Sequence, residues 1–230
     1  MYEGRTRPIS HGRWRVRREE RPKPAALHNV PRSYYRFGLS EEDFRLRLLE
    51  GPRPDIILLT SIMTYWYPGV AEAIERLRAA FPNRPIILGG IYATLCPDHA
   101  ATLGADQVLP ASATPYADSL PLNLYPDPGH ALISTSRGCP RRCHYCASAL
   151  IHPHFSPRPL AEILNDLDSQ LAGNQLRDLA FYDDALLWDK ENIFYPLVAQ
   201  LAETFPQLNL HSPNGLSVGS LDESSSRALR

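Results

Sequence analysis

Short apolar runs of strand character alternate with amphipathic helices along most of this chain, and that alternation most restricts its fold. Residues 55–60, 85–89 and 107–109 read as strands. Before the first of them, Ser40 stands three residues ahead of Asp43, a capping-box arrangement that opens a helix with Phe44, Leu48 and Leu49 on one face. That helix is expected to stop at Gly51-Pro52. A second helix follows Pro68-Gly69 and carries Val70, Ile74, Leu77 and Phe81 at helical spacing. The uninterrupted apolar character of 55–60 predicts a parallel strand buried on both faces. The expected class is therefore α/β, with an open parallel Rossmann-like sheet over residues 40–110. A second series begins at 131, with strands over 131–135, 178–182 and 208–211. One intervening helix has Leu160, Ile163, Leu164, Leu167 and Leu171 on one face and stops at Gly173. The next starts near Lys190 and carries Ile193, Phe194, Leu197, Val198, Leu201 and Phe205. Three β/α units over 131–230 predict part of a (β/α) barrel, in which chemistry sits on loops at the C-terminal strand ends.

Composition narrows the setting. The chain has 230 residues, 43% of them hydrophobic and 21% charged, and a net charge of −1. These are ordinary values for a globular protein, and nothing global favours nucleic acid or a membrane as partner. No apolar run approaches the roughly 20 residues that span a bilayer. Residues 1–39 read as a basic arm without helical or strand period, order beginning near Ser40. Within 1–31, eight Lys and Arg face three acids. A solvated arm is the expected role, with nucleic-acid contact as the alternative. Prolines cluster again at Pro110, Pro115, Pro121, Pro126 and Pro128, marking a linker over 111–130.

Cysteine usage is the sharpest chemical signal. Cys139, Cys143 and Cys146 lie in Ser-Thr-Ser-Arg-Gly-Cys-Pro-Arg-Arg-Cys-His-Tyr-Cys, with C-x3-C-x2-C spacing directly after the strand at 131–135. Three thiolates on one loop can hold three irons of a cubane iron–sulfur cluster, whose usual full ligation is four cysteines. The fourth iron then stays open to an exogenous ligand. Structural zinc is the competing reading. It wants four ligands and commonly two C-x2-C knuckles, whereas only Cys143 and Cys146 make such a pair. Cys96, His144, His152 or His154 would have to complete that shell. Four cysteines in a chain of this length, without an apolar signal core, predict a reduced, cytoplasmic protein rather than a disulfide framework.

This loop resembles the signature of the radical S-adenosylmethionine (radical SAM) enzymes. Tyr145 occupies the family's aromatic position before the third cysteine, and Gly138 and Pro140 also fit. The resemblance implies that Cys139, Cys143 and Cys146 ligate a 4Fe-4S cluster and that the open iron chelates SAM. An electron from the cluster then cleaves the sulfonium and releases a 5′-deoxyadenosyl radical. It further implies Tyr145 near adenine, a reductant such as flavodoxin or ferredoxin as partner, and a substrate that the sequence does not name. Tyr182-Asp183-Asp184 ends the second strand of the barrel portion, where this family contacts the SAM amino group. Helix capping or a turn is the structural alternative for Asp183 and Asp184. Asn214 and Ser217 stand at or beyond the third strand end, as substrate contacts or as a Pro-Asn-Gly turn. Arg141 and Arg142 add positive charge beside the loop, which raises a cluster's potential or docks an electron donor.

Residues 40–110 look like the cobalamin-binding domain that precedes the catalytic domain in one radical SAM subgroup. The matching pieces are Leu59-Thr-Ser61, Leu88-Gly-Gly90 and Gly104-Ala-Asp106. The resemblance makes cobalamin a candidate cofactor and places Gly89 and Gly90 at its site. The Asp-x-His-x-x-Gly motif that ligates cobalt in some such domains is absent, and Asp98-His99 is not that motif. Cys96 is expected as a buried free thiol. The family core has about six β/α units and its cobalamin domain one more initial strand, so a fragment or a chain that needs a partner is expected. In Ser220-Leu-Asp-Glu223 a further capping box opens a last helix, with Ser220 as its cap.

Overall fold

A computed structural model describes residues 5–8, 14–111, 121–122, 129–172 and 176–228. The chain divides into two compact units, Met1–Pro110 and Ala111–Arg230. Both are α/β with parallel sheets, as the alternation of elements predicts.

The first unit opens with two antiparallel pairs where the sequence predicts an arm without strands. β1 (Arg5–Pro8) pairs with β2 (Trp14–Val16). β3 (Arg18–Arg21) pairs with β4 (Tyr34–Phe37), with Arg18 opposite Phe37 and Arg21 opposite Tyr34. No apolar alternation announces β3 because its residues stay exposed or half-buried. Charge and aromatic faces hold it instead. The Arg18 guanidinium lies 4.6 Å over the Tyr35 ring, and Arg21 reaches Glu41 and Glu72 at 3.7 and 3.8 Å.

α1 (Glu41–Glu50) begins as expected at Ser40, whose Oγ accepts the Asp43 N–H at 3.1 Å. Three acids in its first turn suit the positive helix end. β5 (Ile57–Thr60), α2 (Tyr67–Ala80), β6 (Ile86–Gly89), α3 (Gly90–Leu95), α4 (Pro97–Ala101) and β7 (Gln107–Val108) then build a parallel sheet in the order β5-β6-β7. Ile57 pairs with Ile86, Thr60 with Gly89, and Leu88 with Val108. Ile57, Ile86 and Leu88 are buried with Val70, Ile74 and Leu77 of α2. The expectation of a strand buried on both faces is corrected here. β5 is an edge strand, and Leu58, on its other face, is 77% exposed. A continuous apolar run states that a strand has two apolar faces; it does not supply a second layer to cover them. The Asp106 carboxylate accepts the Ile86 N–H at 2.7 Å and Arg78 at 2.7 Å, which holds its pKa below the usual carboxylate range.

The second unit contains β8 (Ala131–Ile133), β9 (Ser136–Arg137), α5 (Ser148–Ile151), β10 (Ser156–Pro157), α6 (Leu160–Leu171), β11 (Asp178–Phe181), α7 (Tyr195–Thr204), β12 (Asn209–His211) and α8 (Glu223–Ala228). β8, β11 and β12 are parallel, in the order β12-β11-β8. Ile163 and Leu167 of α6 and Leu197 and Leu201 of α7 bury against Ala131, Ile133, Leu179 and Phe181. Leu122, from the expected linker, joins this core. Most of that linker, and the stop at Gly173, lie outside the described residues. The helix expected from Lys190 starts as a π-helical turn, Lys190–Phe194, and the Tyr195 N–H reaches back to the Lys190 carbonyl. Pro196 supplies the reason: it has no N–H to offer the carbonyl four residues earlier, so the first turn widens.

β8 is an edge strand, and a side chain closes its outer edge. Gln170 is 1% exposed. Its Oε1 accepts the Leu132 N–H at 3.0 Å, and its Nε2 donates to the Leu132 carbonyl at 2.7 Å and to Asp166 at 2.9 Å. The last helix is capped by Asp222 rather than by the expected Ser220. The Asp222 Oδ1 accepts the Ser225 N–H at 2.7 Å, while Lys190 bonds the same carboxylate. Lys190 recruits Asp222 to this place, and its hydrogen bond is the first cause holding the Asp222 carboxyl well below the usual range. No described helix is long and apolar enough to cross a membrane.

Two predictions follow from these bonds. Gln170→Leu keeps the volume but strands the Leu132 peptide, and is expected to cost roughly 1–3 kcal/mol in urea unfolding. An unchanged unfolding midpoint would refute the edge-closing role. For Asp222, the folded pKa is depressed. Its stabilisation is therefore complete above the unfolded value of about 3.9 and lost as pH falls through the lower folded value. The gap in melting temperature between the wild type and Asp222→Asn is expected to be flat from pH 7 to about 5 and to shrink below about 4. A gap independent of pH would contradict it.

Candidate functional site

The cysteine loop leaves the C-terminal end of β8, and its two stems are tied together. β9 pairs antiparallel with β10, Arg137 opposite Ser156 and Ser136 opposite Pro157. Arg158, just past β10, donates its N–H to the Thr135 carbonyl at 2.9 Å and its Nη1 to the Ser134 carbonyl at 2.8 Å. Gly138 sits at φ +72°, and a Cβ there would lie 2.8 Å from the His154 carbonyl oxygen. Only glycine lets the outgoing stem pass so near the returning one. The excursion from Gly138 to Phe155 is thus a closed loop on a fixed neck.

All three loop cysteines are free thiols, Cys139 and Cys143 half-buried and Cys146 exposed. The Cys146 N–H donates to the Cys143 carbonyl at 3.1 Å, forming a turn. The Cys146 Sγ accepts the Ser148 N–H at 3.4 Å and donates to the Ser148 hydroxyl at 3.3 Å. Tyr145 is 93% exposed at the tip. Its hydroxyl is pushed above the usual phenol range, first by its hydrogen bond with Cys143. Among the described residues, no three His, Cys, Asp or Glu side chains gather closely enough to hold a metal ion. As thiolates the three would repel one another, and a shared cation would offset that repulsion. The donor set suits that cation: three sulfurs on one short loop, none lost to a disulfide. Cys96 belongs to the first unit, half-buried rather than buried as expected, at the junction of α3 and α4. His144 and His154 are exposed.

The two aspartates after β11 part company. Asp183 is 1% exposed and turned inward. Its Oδ1 and Oδ2 both accept the Thr135 N–H at 2.9 Å, and its Oδ1 also accepts the Thr135 and Ser136 hydroxyls at 2.8 Å. Asp184 is exposed. Asn214 is exposed and stands in a turn closed by the Gly215 N–H on the Ser212 carbonyl at 3.0 Å. Its amide donates to the Tyr182 and Asp183 carbonyls, both at 3.3 Å, and so ties the loop after β12 to the end of β11. Ser217 is exposed. Arg141 also has an internal role. It lies 5.8 Å over the Trp188 ring and reaches the Ser220 hydroxyl at 3.5 Å. Trp188 meets Phe155 edge to face, 6.3 Å between centroids. A small pocket opens among Thr135, Ser136, Phe155, Pro157 and Leu186.

In the first unit, the loop after β5 exposes Ile62, Met63, Tyr65 and Trp66. Gly90, at φ +91°, is required by this loop. A Cβ there would stand 2.4 Å from Thr60 Oγ1 and 2.7 Å from the Ser61 carbonyl. At Gly89 a Cβ would meet only the Leu109 carbonyl, at an ordinary 3.6 Å. His99 is bonded through Nδ1 to the Tyr92 hydroxyl at 2.6 Å and is met edge-on by Tyr67. Burial is the first cause raising the Tyr92 hydroxyl above its usual range.

Sequence reasoning missed Thr135, Arg158, Asp166 and Gln170. One signal was present: Gln170 stands three residues after Leu167 on the apolar stripe of α6, where a polar residue needs a partner. Gly138→Ala tests the neck. It forces a left-handed backbone and a clash, and is expected to cost more than about 1 kcal/mol. Exchange of backbone amides over 136–157 should quicken with it. Native unfolding and exchange would show that the close passage is dispensable.

The chain matches no protein-family model, and no curated protein matches it, so the site is read from its own residues and geometry.

Proposed function

We propose that this chain is a radical SAM iron–sulfur protein, with Cys139, Cys143 and Cys146 as thiolate ligands of a 4Fe-4S cluster. One observation carries the reading: three free thiols share a loop delivered from a parallel strand end and closed at its neck by β9 and β10. When bound there, the cluster supplies the electron for reductive cleavage of SAM. The chain's own residues bind and orient. The Asp183 oxygens are already taken, so exposed Asp184 is the carboxylate left to accept hydrogen bonds from the SAM ammonium. Tyr145 at the tip offers a ring beside adenine. Arg142 and His144, both exposed on the loop, face an incoming reductant such as flavodoxin or ferredoxin.

On this reading the second unit is part of a radical SAM (β/α) barrel, supported by the parallel order β12-β11-β8 with helices between the strands. The first unit is read as a cobalamin-binding-type Rossmann-like sheet, supported by the order β5-β6-β7 and the exposed aromatic loop after β5. Gly89 carries no internal demand for glycine and remains the backbone position open to a ligand, whereas Gly90 serves Thr60 and Ser61. Cobalamin would bind without an imidazole from an Asp-x-His-x-x-Gly motif.

The test is anaerobic reconstitution with iron and sulfide, metal and sulfide analysis, and electron paramagnetic resonance of the reduced protein with and without SAM. About four irons per chain and a cubane signal altered by SAM are expected. Cys143→Ala should lose the cluster. Asp184→Asn should weaken SAM binding roughly tenfold or more, the size of a lost charge-assisted hydrogen bond. Zinc in place of iron would overturn the proposal in favour of a structural metal. A cluster indifferent to SAM would leave a catalytically silent protein.

A further inference from the structure

We propose that Asp183 is a positioning residue that sets the exit of the cysteine loop, and that it touches no ligand itself. The inference rests on reading residues 139–146 as a cluster loop, but its geometry stands in the chain alone. Asp183, Thr135 and Ser136 are 1%, 3% and 7% exposed, so no ligand reaches the carboxylate. Its two oxygens take one N–H and two hydroxyls, all from Thr135 and Ser136. Those are the residues through which the chain passes from β8 into β9, three and four positions before Cys139.

The arrangement does what a backbone ladder cannot do at this point. β8 pairs with β11 only as far as Ile133 opposite Phe181, and the Tyr182 N–H still reaches the Ile133 carbonyl at 2.9 Å. Past that point the strands part, because β9 turns to pair with β10. The Thr135 N–H would then be a buried donor without a strand partner, which is costly. Asp183 accepts it and extends the ladder by two residues with a side chain. Asn214 in turn fixes the peptide of Asp183 from the far side. The carboxylate therefore holds the direction in which Gly138 and Cys139 leave the sheet.

Hydrogen exchange of the full metal-free chain tests this directly, with Asp183→Asn, Thr135→Val and Thr135→Ser beside the wild type. Asparagine keeps one acceptor oxygen and turns an NH2 group toward the donors. Exchange of amides over 134–138 is expected to quicken by about tenfold in Asp183→Asn, against little change over 195–204 in α7. Thr135→Val, which deletes one hydroxyl donor, should give a smaller rise at the same amides, and Thr135→Ser should restore the native pattern. In reconstituted Asp183→Asn protein, the reduced spectrum without SAM should shift, while SAM affinity stays within about threefold of wild type. A bystander role in stability would not move that spectrum.

Several results would overturn the assignment. Native exchange and an unshifted spectrum with SAM binding lost would make Asp183 a SAM ligand. Exchange rising equally over 195–204 would make it a general stabiliser. If Asp183→Asn does not fold, native exchange over 134–138 in Thr135→Val overturns the proposal, and a local rise supports it. Failure of the wild type to take up a cluster would sink the radical SAM reading alone, because the exchange measurement needs no metal.

Discussion

The outer edge of β8 is the constraint on which the second unit depends. A parallel strand three residues long has little pairing of its own, and β11 satisfies only one side of it. The other side would expose peptide groups inside a helix-covered layer. Gln170 closes it because a primary amide offers one donor and one acceptor on a short stem, the same pair a neighbouring strand would present. Asp166 and Arg158 continue the line. Arg158 bonds the Ser134 carbonyl with its guanidinium and the Thr135 carbonyl with its N–H, and it meets Asp166 at 3.3 Å. The Arg158–Asp166 pair is 12% and 6% exposed, so its desolvation offsets much of its Coulomb attraction. What the pair contributes is register: every member is hydrogen-bonded, and the line ends where the cysteine loop begins.

A second line of polar bonds crosses the first at the strand ends. Asp183 binds the exit of β8, and Asn214 binds the peptides at the exit of β11. The neck of the loop is consequently held along the strand by α6 and across the strands by the loops after β11 and β12. Its tip is the exposed part. Cys146 is exposed and Tyr145 projects into solvent. The bonds that fix the neck thus lie wholly within the chain, and the exposed residues of the loop stand beyond them.

What the sequence disclosed followed from periodicity. The runs at 85–89 and 160–171 became β6 and α6 because apolar residues at periods of two and 3.6 must face a core in any fold. The cysteine loop and the aspartate pair were visible in the sequence as motifs at strand ends. Their division of labour was not. Asp183 and Asp184 are the same residue type, and only the path of the chain beyond the end of β11 leaves one buried and the other exposed. β3 and β4 were illegible for another reason: their bonds run to residues distant in sequence, such as Glu72. The one-sided burial of β5 depends on which elements of its own unit pack against it, a fact no local pattern encodes. Ser220 lost the last helix to Asp222 because Lys190, thirty-two positions before Asp222, settles the choice.

The N-terminal region shows why a count of charges is a poor guide to a field. Its excess of arginine reads as a solvated arm, with nucleic-acid contact as the alternative, yet several of the described cations are engaged within the fold. Arg17 meets Asp43 at 2.8 Å, and Lys23 donates to the Val30 carbonyl. Arg36 and Arg21 converge on Glu72, which also receives Arg76 from its own helix at 2.7 Å. Arg76 in turn holds Glu41 at 2.7 Å, the first cause keeping that carboxyl below its usual range. Single exposed pairs of this kind contribute little. A hub differs, because Glu72 is only 25% exposed and each added arginine finds the carboxylate already fixed. Arg17 and Arg21, with Arg36, thus act in the fold as the cement between β3, β4 and the two helices that follow.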